Sequence, residues 1–107
     1  MCYKLESSFV LIHALRVRES YTIADIVAIK RKVEERISSV YLDVSRNSIL
    51  ETISSYPEIF SWENEHIKRK SSAFCYFEDD DAMAFFNNTD MSERLELQII
   101  QCIESHG

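Results

Sequence analysis

The spacing of apolar residues changes character at Pro57, the only proline in the 107-residue chain. A proline removes a backbone donor and pushes the residue before it, here Tyr56, out of the helical region. A helix arriving from upstream must therefore stop at Tyr56. Beyond it, Ile59, Phe60 and Trp62 are strand formers, and the helical period is gone. The only glycine is Gly107, the last residue. Glycine-rich phosphate loops, collagen-like repeats and long flexible linkers are thereby excluded. A chain of this length fits one domain, and 46% hydrophobic residues suffice to fill its core.

Three helices are expected before the proline. Leu5, Phe9, Ile12, His13 and Arg16 recur at helical spacing, with Val10, Leu11 and Leu15 widening the apolar arc, which predicts a first helix over 4–18. Thr22 is suited to cap a second helix, with Asp25 at the third position and a Tyr21–Ile26 hydrophobic staple. Its stripe is Ile23, Ile26, Val27, Val33, Ile37 and Val40. After a connector at Tyr41-Leu42-Asp43, a third helix starts at Ser45, with Ile49, Leu50, Ile53 and Tyr56 inward. Past Pro57, two strand-like runs are legible, and the chain can turn at Glu63-Asn64 or at Lys70-Ser71-Ser72. Phe74 to Phe77 is a further strand-like run. A short helix from Glu78 to Phe86 and a last helix from Asp90 follow, the latter with Met91, Leu95, Ile99, Cys102 and Ile103 on one face.

Charge is distributed unevenly. Residues 16–70 carry ten positive and nine negative side chains, whereas residues 71–107 carry one positive and eight negative. The net charge of −6 argues against wholesale coating of nucleic acid, and the asymmetry predicts two surfaces with different partners. No apolar run reaches the roughly 18 residues that cross a bilayer. The stretch from Phe9 to Leu15 is interrupted by His13 and preceded by Glu6, unlike a secretory leader. These features predict a cytoplasmic protein, or a nuclear one in a eukaryote. Cys2, Cys75 and Cys102 are odd in number and widely spaced, so they read as reduced thiols.

The succession Thr22-Ile23-Ala24-Asp25-Ile26, Val44-Ser45-Arg46-Asn47-Ser48-Ile49-Leu50, Tyr56-Pro57-Glu58-Ile59-Phe60 and Ile67-Lys68-Arg69-Lys70 resembles the winged helix-turn-helix superfamily. The resemblance spans about residues 5–77. It implies an α+β, mainly α fold of three helices plus a β-hairpin, with one or more additional C-terminal helices. The expected division is a winged-helix core over 1–77 and an acidic helical extension over 78–107, packed on the core or dimerising. In that superfamily the third helix enters the major groove and the hairpin touches phosphates or the minor groove. The resemblance thus implies a small DNA-binding transcription regulator in which Arg46, Asn47, Ser48 and Thr52 meet double-stranded DNA at its bases. Arg suits guanine and Asn suits adenine. Lys68, Arg69 and Lys70 would meet phosphates. The second helix looks longer than is usual in the superfamily.

Two other features bear on partners. Asp79, Asp80 and Asp81, together with Met91, Leu95 and Ile99, form an alternative protein-interaction surface for a basic partner, in the manner of a small inhibitor that imitates nucleic-acid charge. The last helix either completes the core or pairs with its copy in a twofold homodimer. The three histidines and three cysteines include no CxxC or HxxxH spacing, so no metal site is expected. No pairing of base and nucleophile points to an enzyme, and no cofactor fingerprint is present.

Overall fold

A computed structural model describes residues 3–70 and 92–106. The fold is α+β and mainly helical, with four helices among the described residues. The order is β1 (Tyr3–Leu5), α1 (Ser7–Val17), β2 (Ser20–Thr22), α2 (Ile23–Arg36), β3 (Val40–Leu42), α3 (Arg46–Ser55), β4 (Phe60–Glu63), β5 (His66–Arg69) and α4 (Glu93–His106).

The first expectation is corrected at its start. Residues 4–6 do not open α1. Tyr3–Leu5 instead pairs in parallel with Val40–Leu42. The reason is burial on both sides of the pair: Leu5 and Leu42 are 2% and 0% exposed. That same pairing ends the second helix early. α2 stops at Arg36, and Val40, read as part of its stripe, is a strand residue. The region taken as a plain connector is therefore β3, held from the other side by Leu42 N donating to Glu34 Oε2 at 3.0 Å.

The helix starts follow the capping logic of the sequence. Asp25 N donates to Thr22 Oγ1 and Thr22 N donates to Asp25 Oδ2, a reciprocal capping box. Ser45 caps α3 in the same way, with Ser48 as its reciprocal partner. α3 ends with Tyr56 as its C-cap, immediately before Pro57. α4 begins later than Asp90, and Ser92 Oγ accepts from Leu95 N there.

The hairpin turns at Asn64 and Glu65, both at positive φ (53° and 62°), and β4 pairs with β5 from Phe60↔Arg69 to Glu63↔His66. Two successive positive-φ residues give the turn the twist that two-residue hairpins favour. β2, which the sequence reading missed, adds to β5, so the antiparallel sheet has the order β2-β5-β4. Phe9, Leu11, Ile12 and Leu15 of α1 form the centre of the core, with Ile26, Ile29 and Val33 of α2, Ile49 of α3 and Phe60 and Ile67 of the sheet around them. Ile99, Cys102 and Ile103 of α4 close it, packed on α1 and α2. The Glu78–Phe86 helix and the Phe74–Phe77 strand lie outside the described residues.

Candidate functional site

α3 lies between two neighbours. On one side its first turn faces the hairpin tip: Arg46 Nη1 donates to Glu65 Oε2 at 3.2 Å, and the Arg46 guanidinium carbon stands 5.9 Å from the Trp62 ring centre. On the other side α3 faces the start of α1 across an open cleft of about 280 Å³, lined by Glu6, Asp43 and Glu51 and by the hydroxyls of Ser8, Ser48 and Thr52. Between these neighbours, Asn47, Glu51, Ser54 and Ser55 are exposed. With 100° per residue they share the face opposite Ile49 and Ile53.

The expected base-contacting residues separate into two kinds. Arg46 and Asn47 are exposed. Ser48 and Thr52 are committed internally. Ser48 Oγ accepts from Ser45 N at 2.8 Å and lies 3.1 Å from Asp43 O and 2.8 Å from the buried Ser7 Oγ. Ser7 Oγ also donates to Asp43 O at 2.6 Å. Thr52 Oγ1 donates to Ser48 O at 2.9 Å. Short hydroxyl side chains in a helix's first turns bond backbone more readily than a distant ligand. That competition explains both assignments.

The basic run sits at the base of the hairpin rather than at its tip. Ile67 is fully buried, so alternation places Lys68 on the outer face of the sheet, where it pairs with Glu63 at 3.6 Å. Arg69 lies beside the end of α1: its Nη1 donates to Leu15 O at 3.0 Å and its Nη2 to Glu19 Oε1 at 3.5 Å. Lys70 follows, exposed, with its backbone N bonded to Ile59 O. Arg46 thus stands at the hairpin tip, while Arg69 lies at the other end of β5 beside the end of α1. Glu63 and Glu65 occupy the tip itself.

Cations do gather elsewhere. Arg69 and Lys70 lie near the C-terminal end of α1, which carries Arg16 and Arg18, and Arg18 pairs with Asp25 at 3.0 Å while covering the Tyr21 ring at 4.3 Å. Cations there meet the negative end of the α1 dipole. The phenol of Tyr21 is pushed above its ordinary pKa by burial, with Arg18 opposing and Asp25 adding to the shift.

Of the alternative surface, Asp79, Asp80, Asp81 and Met91 lie outside the described residues. Leu95 is half-buried and Ile99 is fully buried against the core. Among the described residues no group of three His, Cys, Asp or Glu is placed to hold a metal, and no helix is long and apolar enough to cross a membrane. No protein-family model, curated protein or solved structure matches the chain.

Proposed function

We propose that the chain is a winged-helix domain serving as a protein-recognition module, which offers α3 and the hairpin tip to a partner bearing basic groups. The winged-helix part of this reading is supported by connectivity. A strand between the first two helices adds to the far strand of a hairpin that follows the third helix, giving the order β2-β5-β4. Fold does not decide function, and winged-helix scaffolds serve either nucleic acid or protein.

The observation that carries the partner assignment is charge. Acids flank α3 on both sides: Glu63 and Glu65 at the hairpin tip, and Glu6, Asp43 and Glu51 along the cleft that faces α1. The cations beside these acids, Arg46, Lys68 and Lys4, already stand within 3.2, 3.6 and 3.6 Å of carboxylates. A duplex reader typically neutralises about six to ten phosphates. Three paired cations among five acids fall well short of that, and the acids would repel a phosphate backbone laid along α3. Lysine and arginine side chains of a protein partner reverse the sign of all these contacts.

A second reading, a duplex-DNA-binding regulator, is favoured by one observation: Arg46 and Asn47 are exposed side by side on the first turn of α3. Those are the residue types that read guanine and adenine. Fluorescence polarisation of a labelled random duplex at about 50 and 200 mM salt separates the two. The protein-recognition reading expects no duplex binding tighter than the roughly 10⁻⁴ to 10⁻⁶ M of non-specific contacts. Glu51→Gln with Glu65→Gln should then strengthen that residual binding. Submicromolar binding by the wild-type chain, lost in Arg46→Ala, would overturn it in favour of DNA.

A further inference from the structure

Outside its buried face, α4 carries an exposed Leu97, next to Ile100, which is partly buried at the margin of the core. Its inward face is spent on Ile99, Cys102 and Ile103. Leu97 is 56% exposed, the most exposed large hydrophobic side chain among the described residues. Ile100, three residues on, is half-buried beside it. Glu93 and Glu96 stand four residues before Leu97 and Ile100, and Glu104 four residues after Ile100. At 100° per residue these five side chains share one arc of the helix. A shallow hollow of about 250 Å³ is lined by Glu93, Glu96, Leu97 and Ile100.

An apolar centre framed by carboxylates fits one kind of occupant best. A second copy would set acids against acids, with only Arg94 on α4 to offset them, and like charges juxtaposed at an interface are costly. An oppositely charged occupant satisfies both parts of this arc. We infer that the outer face of α4 is a docking surface for a cationic amphipathic helix of a partner protein, with leucine-like side chains on Leu97 and Ile100 and lysine or arginine on Glu93, Glu96 and Glu104. This mode lays the apolar stripe of one helix along a matching surface of another. The surface is separate from the α3 face proposed above and stands without it.

The test is anisotropy of a labelled synthetic helix with leucine along one side and lysine along the other. The wild-type chain binds it, and binding weakens with salt. Leu97→Asp weakens it about tenfold although the substitution adds a negative charge. Glu93→Gln with Glu96→Gln also weakens it, and Glu51→Lys on α3 leaves it unchanged. Leu97 is exposed, so far-ultraviolet circular dichroism should show both α4 variants folded. Three results each overturn the inference: no binding by the wild-type chain, equal or tighter binding by Leu97→Asp, or a sedimenting dimer of the wild-type chain that Leu97→Asp separates.

Discussion

Arg46 and Glu65 are nineteen positions apart in the chain, yet their side chains meet at 3.2 Å and bind the first turn of α3 to the hairpin tip. Both side chains are more than half exposed, so water and salt screen the pair. An exposed pair of this sort is worth about 0.2–1 kcal/mol. A double-mutant cycle with Arg46→Ala and Glu65→Ala, read by urea unfolding, should return a coupling in that range that shrinks with added salt. A coupling above about 2 kcal/mol would mean the contact is far better shielded than its exposure implies.

Ser48 is expected to matter for folding more than for any ligand. It is the reciprocal residue of the α3 capping box and sits in a network with Ser7, Ser45 and Asp43. Ser48→Ala should cost about 1–2 kcal/mol in chemical unfolding. Asn47→Ala, one position earlier and exposed, should stay within about 0.5 kcal/mol. Equal effects at both positions would contradict the network.

The two faces of α4 should behave oppositely under truncation. Ile99 is fully buried against the core, and Ile99→Ala should cost about 2–5 kcal/mol through lost contact and a residual cavity. Leu97→Ala should be close to neutral in thermal unfolding. A large loss at Leu97 would show that the outer face is already covered in the isolated chain.

Tyr21 links stability to alkaline pH. Its phenol is 1% exposed as a residue and its hydroxyl has no hydrogen-bond partner among the described residues. The folded state holds the proton more tightly than the unfolded chain, because burial raises the pKa above 10.0. The group's contribution is therefore fully present below about pH 10 and is lost as pH rises through the raised folded value. Stability should fall over that window in the wild-type chain, and Tyr21→Phe should flatten the fall. At neutral pH Tyr21→Phe should be neutral or stabilising, since it removes a buried donor that lacks a partner. A marked loss at neutral pH would reveal a hydrogen bond to that hydroxyl.

Local signals were the readable ones. Thr22 with Asp25, Ser45 ahead of α3, and Pro57 after it each act within a few residues, and their helix boundaries follow. The strands Tyr3–Leu5, Ser20–Thr22 and Val40–Leu42 were not legible. Each has three residues, and each is a strand only because a distant segment pairs with it. The position of the basic run within the hairpin was not legible for a related reason. Which end of a hairpin carries Lys68, Arg69 and Lys70 depends on where the turn falls, and Asn64-Glu65 carries no glycine to announce it. At the candidate face, exposure of Arg46 and Asn47 could be read from helical spacing. The inward commitment of Ser48 and Thr52 could not, because it needs Asp43 and Ser7 brought alongside.

The parallel pairing of Tyr3–Leu5 with Val40–Leu42 has a mechanical consequence. It braces the span between α2 and α3 from the N-terminal strand, adding to the Ser7–Ser48 and Arg46–Glu65 contacts that hold α3. Residues that touch no ligand thereby aim the helix that would. Shortening the chain by its first five residues should leave the helices intact yet let α3 swing. Affinity for a rigid partner would then drop without a matching drop in helix content.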